Sequence, residues 1–262
     1  MDVYGPEAWY GSLPRITKTI ITLMFLLTVC TTFRIVSPQS LMLNWQLIRK
    51  HFEVHRILLG CLYAGQFSFK WAIQTYMFSQ FSSTLERNPL FANSIGGYLY
   101  FILIQMFLIS VISLFFFWPT GFPMLNDALL FSVLYYWSRR DMWNNVSVYV
   151  FTVKAYQLPY VMLFVNFIMG APMVVNIIGM LAAHAYYVVR EILPTKGFKN
   201  YFSRSPHWVD YIADKIDALF EYARLTWNQN VRPASFSSPP PRTPERNSRY
   251  GFVGRGIRLG SS

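Results

Sequence analysis

Gly97-Tyr98-Leu99-Tyr100-Phe101-Ile102-Leu103-Ile104-Gln105-Met106-Phe107-Leu108-Ile109-Ser110-Val111-Ile112-Ser113-Leu114-Phe115-Phe116-Phe117 contains no Asp, Glu, Lys or Arg. A run of this length matches the roughly 20 residues that carry a helix across a bilayer core. In hydrocarbon every backbone amide needs an internal partner, so the run predicts a membrane helix. Outward from it the signal repeats. Further apolar stretches occupy 16–36, 67–83, 124–138, 155–170 and 173–190, and 16–36 also reaches spanning length. They predict an all-α membrane protein with six transmembrane helices. Composition agrees: of 262 residues, 53% are hydrophobic and only 13% charged, against about 25% charged in a soluble domain.

The N-terminus is predicted to stay on the protein. Asp2 and Glu7 precede the first stretch, which is too long for a signal core and has no clear small-residue cleavage site. The domain organisation expected is a membrane domain at 1–193, a cytosolic amphipathic segment at 194–227 and a disordered tail at 228–262. Cys30 and Cys61 supply neither a disulfide framework nor metal-ligand spacing.

Lys and Arg set the orientation. With six spans, Arg15, Lys18, Arg87, Arg139 and Arg140 share a side with the segment after Leu193, where Lys and Arg outnumber acids 11 to 5. The other side holds mainly Arg49, Lys50 and Arg56. Both termini are expected in the cytosol. The net charge of +11 is thus topology charge, and nucleic acid is not an expected partner.

Between the first two stretches, 37–66 carries Leu41, Leu43, Trp45, Leu47, Ile48, Ile57, Leu58 and Leu59, too apolar for a solvated loop. It is expected in the membrane interface with Trp45 at headgroup level; packing on the bundle is the alternative, and both can hold. Later connections read as short: Trp118-Pro119-Thr120-Gly121-Phe122-Pro123, Ser138-Arg139-Arg140-Asp141 and Gly170-Ala171-Pro172. Asn145-Val146-Ser147 matches a glycosylation sequon on the cytosolic side and is expected unmodified. Beyond Ser205-Pro206, Trp208, Ile212, Ile216, Leu219, Phe220 and Ala223 recur at helical spacing, predicting an amphipathic helix that docks on the bundle or the membrane surface. From Asn228 to Tyr250 the composition turns to Pro, Ser, Arg and Asn, as in a disordered segment.

Polar groups inside apolar stretches are costly and mark function. The second stretch carries Lys70, Gln74 and Gln80, the fifth is read with Lys154, Gln157 and Asn166, and the sixth has Asn176 and His184. A water-accessible groove formed by Gln74, Lys154, Gln157, Asn166 and Asn176 is one reading. Lysines snorkelling to the interface, and amides satisfied between helices, are the other. Gly179 and Ala183 form a small-xxx-small pair suited to close helix packing.

Four segments together resemble the derlin family, rhomboid-like pseudoproteases. They are His55-Arg56-Ile57-Leu58, thirty residues before Leu85-Glu86; Tyr136-Trp137-Ser138-Arg139-Arg140; Gly179 through Tyr187, a glycine pair with His184 and aromatics; and Phe252-Val253-Gly254-Arg255-Gly256-Ile257-Arg258-Leu259-Gly260. The sequence departs from the family at His55, where derlins carry Trp, and at Ala183 in place of the second Gly. The resemblance implies a rhomboid-like bundle in the endoplasmic reticulum membrane that moves misfolded proteins out for degradation. It also implies that Phe252, Gly254, Gly256, Leu259 and Gly260 recruit a AAA ATPase of the valosin-containing-protein type, beside a membrane ubiquitin ligase complex. A homo-oligomer and a hetero-complex both stay open.

An active rhomboid would place Gly-x-Ser-x-Gly on the fourth span and a His three residues before the glycine pair of the sixth. Here Ser132 has no flanking glycines, Asn176 stands where the base would be, and His184 lies beyond the pair. No activated nucleophile follows. With no phosphate loop, metal cluster or paired carboxylates, no enzyme activity, cofactor or metal is expected. The rivals are an intramembrane serine protease and a solute channel or transporter.

Overall fold

The computed structural model describes residues 5–92, 96–148, 151–168, 170–197 and 205–231. The terminal box, with Phe252, Gly254, Gly256, Leu259 and Gly260, lies outside the described residues, as does the tail from 232 onward. In chain order the helices are α1 (Pro6–Ser12), α2 (Arg15–Thr32), α3 (Pro38–Leu41), α4 (Trp45–His51), α5 (His55–Leu62), α6 (Phe69–Glu86), α7 (Pro89–Ala92), α8 (Gly97–Phe116) and α9 (Asn126–Arg140). A hairpin of β1 (Asn145–Val148) and β2 (Phe151–Lys154) follows, then α10 (Leu158–Ile168), α11 (Met173–Tyr187), α12 (Leu193–Thr195) and α13 (His207–Val231). Each of the six apolar stretches thus holds a helix. Among the described residues three helices, Arg15–Thr32, Gly97–Phe116 and Met173–Thr195, are long and apolar enough to cross a membrane.

α9 is the centre. Every residue from Ala128 to Ser138 is buried, because α5, α6, α8, α10 and α11 all pack against it. A helix wrapped by protein need be neither long nor uniformly apolar, which explains its 15 residues and polar ends. Its tightest seam is with α11, where Gly179 faces the Ala128 backbone and Ala182 and Ala183 are fully buried. Phe91, Phe101, Tyr136 and Tyr186 form an aromatic cluster at one end, with Phe101 centroids 4.9 Å from Tyr136 and 5.1 Å from Tyr186.

Long-range polar contacts supply what local sequence lacks. Pro14 offers α2 no capping side chain. Glu86, at the end of α6, accepts instead from Ile16 N at 2.9 Å, Thr17 N at 2.8 Å and Thr17 Oγ1 at 2.7 Å. A carboxylate at a helix N-terminus satisfies orphan amides and complements the dipole.

The segment 37–66 folds into α3, α4 and α5. Leu43 N donates to Pro123 O at 2.9 Å and Trp45 N to Thr120 O at 3.0 Å, so the α8–α9 connection pins it. Gly121 sits at φ +79 with the Trp45 ring against it, where a Cβ would come within 2.9 Å. The Trp45 indole donates to Ser110 O at 3.2 Å. Trp45 therefore packs on α8, its second expected role.

Two local expectations change. The connection after α9 is not short: 145–148 and 151–154 pair as antiparallel strands, with Asn145 paired to Lys154 and Val146 to Val153. β-branched residues on both arms favour this pairing. Lys154 therefore ends a strand instead of opening the fifth span. On α13, the residues that bury are Val209 and Ala213, whereas Trp208, Ile212 and Leu219 are exposed. Asp210, which accepts from Gly96 N at 3.1 Å, and Asp217, paired with Arg15, set this rotation. The chain divides into two compact units, 1–220 and 221–262. The described part of the second is helical, with Thr226 Oγ1 donating to Tyr222 O at 3.1 Å.

Candidate functional site

A cavity of about 220 Å³ opens between α6, α9, α10 and the α10–α11 turn, lined by Lys70, Gln74, Met77, Leu130, Met162 and Asn166 among others. Two of its polar lining residues, Lys70 and Gln74, are tied to Asp127 behind the lining. That carboxylate lies 3.3 Å from Lys70 Nζ and accepts from Gln74 Nε2 at 2.5 Å. Asp127 occupies the first turn of α9, where the helix dipole favours an anion. Lys70 is half exposed, so the pair is worth about 1 kcal/mol or less. Asn166 is half-buried and its side-chain amide makes no hydrogen bond among the described residues. Met77, Leu130 and Met162 supply apolar lining.

Of the groove residues expected from sequence, the fold brings Gln74 and Asn166 together and leaves three elsewhere. Gln157 is exposed before α10. Lys154 is exposed, its Nζ 5.3 Å from the Trp143 ring centroid. Asn176 is fully buried, and neither side-chain atom has a partner among the described residues, so its expected interhelical hydrogen bond is not formed there. Sequence reading missed Asp127, whose signal was an acid in the first turn of an otherwise apolar stretch.

Ser132 is fully buried and its Oγ donates to Leu129 O at 2.8 Å within its own helix. His184 Nδ1 lies 3.0 Å from Tyr135 Oη. Ser132 and His184 are thus engaged with other partners. Among the described residues no group of three His, Cys, Asp or Glu is placed to hold a metal.

Arg56 is buried. Its Nη1 donates to Gln39 O at 2.7 Å and Met42 O at 3.0 Å, and Nε donates to Glu53. It ties α5 to the end of α3 and holds the Glu53 carboxyl below its ordinary value of 4.5. His55, beside it, is exposed. Burial pushes the Cys61 thiol up to about 12.

A family model described as the Der1-like family matches residues 13–207. Derlin-1 of Arabidopsis thaliana is 34% identical over 269 residues, covering 97% of this chain and 98% of the relative. Derlin-1.2 of Zea mays is 31% identical over 216 residues, covering 81% and 86%, and Derlin-1.1 of Zea mays is 30% identical, covering 97% and 98%. With three helices fit to cross a bilayer, the protein is a multi-pass membrane protein.

Proposed function

This chain belongs to the Der1-like family, and on that premise we propose that it is a non-enzymatic component of endoplasmic-reticulum-associated degradation. In this reading six helices span the reticulum membrane with both termini in the cytosol. Misfolded clients pass the groove between α6 and α10, a membrane ubiquitin ligase complex works beside it, and the segment 252–260 recruits the AAA ATPase that pulls.

The observation that carries the reading is the cavity among apolar helices whose lining residues Lys70 and Gln74 are held by Asp127. A polar edge of Lys70 and Gln74 lowers the cost of bringing peptide groups into the membrane. α10 adds to this. Its 11 residues extend only about 16 Å, half of a typical core of about 30 Å, and so favour local thinning. The Ser132 and His184 contacts support a non-proteolytic role, since a serine nucleophile needs a base within reach.

Phe252 and Leu259 suit the tail to strand-like docking, with glycines letting the backbone lie close, and a tethered ATPase gains effective concentration. Phe252→Ala or Leu259→Ala should abolish ATPase co-purification and leave membrane folding intact; retained binding in both variants refutes the tail assignment. Fluorophosphonate labelling that disappears in Ser132→Ala would overturn the non-enzymatic reading.

A further inference from the structure

α6 carries a stripe at alternating spacings of four and three: Phe69, Ile73, Tyr76, Gln80, Ser83 and Arg87. Residues so spaced share one helix face. The stripe is apolar over its first half and polar over its second. Phe69 and Tyr76 are 81% and 53% exposed. The polar half, away from the groove at Lys70, lines a second cavity of about 340 Å³.

This cavity carries both signs of charge. Arg87 and Asp141 both line it, and they form no salt bridge with each other. Arg87 Nη2 donates to Ser12 O, leaving other guanidinium donors available. The Asp141 carboxylate has no partner among the described residues. Two further groups are buried here without a partner among the described residues, the Trp9 indole N–H and the Ser83 hydroxyl. An indole N–H, a hydroxyl and a guanidinium together suit a phosphate oxyanion. Asp141 and the Gln80 amide oxygen suit a primary ammonium, while Asn88 Oδ1 already accepts from Leu90 N at 3.2 Å.

The cavity's place among basic helix ends suits headgroup depth. It lies at the end of the bundle that carries Arg15, Lys18, Arg139 and Arg140. α1 forms one wall, held by Tyr10 Oη 2.6 Å from Thr22 Oγ1 and by Trp9 stacked on Tyr76 with centroids 6.4 Å apart. Trp at such a position is the ordinary interfacial anchor.

We propose that this cavity binds a phospholipid with a phosphoethanolamine head. The phosphate faces Arg87, Trp9 and Ser83, the ammonium faces Asp141, and an acyl chain follows Tyr76, Ile73 and Phe69 along α6. A trimethylammonium head could not donate hydrogen bonds to Asp141, and a glycerol head would offer the carboxylate only neutral hydroxyl donors and no compensating positive charge. The proposal rests on the protein lying in a membrane and is independent of its client and its tail; the acyl path meets the groove at Ile73.

The test is native mass spectrometry of the full chain in detergent with equimolar dioleoyl phosphatidylethanolamine, phosphatidylcholine and phosphatidylglycerol. One phosphatidylethanolamine should be retained preferentially. Arg87→Ala and Asp141→Asn should each lower its retention about tenfold, as expected for one charge-assisted hydrogen bond, and Trp9→Phe should lower it severalfold. Asp141→Asn and Trp9→Phe remove no side-chain hydrogen bond made among the described residues, so loss of lipid there is not loss of structure. Equal retention of the three lipids overturns the proposal. So does phosphatidylglycerol bound regardless of Asp141→Asn, or phosphatidylethanolamine retained unchanged in Asp141→Asn and Trp9→Phe.

Discussion

Gly179 packs so closely on Ala128 that a Cβ would stand 2.1 Å from the Ala128 carbonyl oxygen. The obstacle is backbone, which cannot rotate away as a side-chain tip would. Gly179→Ala should therefore force α9 and α11 apart and cost about 3 kcal/mol or more. Gly11→Ala, with nothing within 4 Å, is the control and should shift the thermal midpoint in detergent little. A Gly179→Ala protein as stable as the parent would contradict this packing.

Arg56 makes a different kind of seam. Removing it leaves the Gln39 and Met42 carbonyls and the Glu53 carboxylate without their donor. Arg56→Ala should lower the thermal midpoint in detergent, chiefly because two backbone carbonyls lose their donor, and Arg56→Lys should recover only part, because an ammonium cannot reproduce the planar fork. Protease cleavage within 38–62 should accelerate in the same order.

The Arg56 hydrogen bond holds the Glu53 carboxyl below 4.5. A depressed carboxyl stabilises the fold fully above its unfolded value, and that contribution disappears as pH falls through the lowered folded value. The difference in melting temperature between the parent and Glu53→Gln should be constant from about pH 6 to 8 and shrink below about pH 4. A difference that grows on acidification would reverse the sign and reject the contact.

Cys61 is fully buried and its thiol is pushed up to about 12. At pH 8 only about one molecule in ten thousand would carry the thiolate, and the reactive form of cysteine is the thiolate. Maleimide should leave Cys61 unmodified until denaturant is added, as read by peptide mass. Half-buried Cys30 serves as the comparison.

In the groove, Asp127→Leu removes the acceptor shared by Lys70 and Gln74. Photo-crosslinking from position 77 to a misfolded client should fall several-fold, with folded yield retained because Lys70 is half exposed. Unchanged crosslinking would separate the cavity from client passage.

The helices and their centre of gravity in the chain were legible from residues such as Gly97 to Phe117, because an apolar run of spanning length leaves the backbone few other ways to satisfy its amides. The pairing of 145–148 with 151–154 was not, since Val146, Val153 and their neighbours are as compatible with the edge of a span as with a strand pair. The same holds for the candidate groove. Polar residues within apolar stretches announce that some polar surface exists, and Gln74 and Asn166 do meet at one cavity. Which others join them depends on rotation about each helix axis and on where each helix begins. Those follow from long-range contacts: Gly179 on Ala128, Glu86 capping α2, Asp210 on Gly96. By itself the sequence determined membrane helices, their order and the family they resemble, all properties of local composition and motif. Only tertiary structure decided that Asp127 anchors the groove, that Lys154 and Gln157 lie outside it, and that Arg87 and Asp141, 54 positions apart in the chain, share one cavity. Such pairings are fixed by the packing of distant segments, which no local pattern encodes.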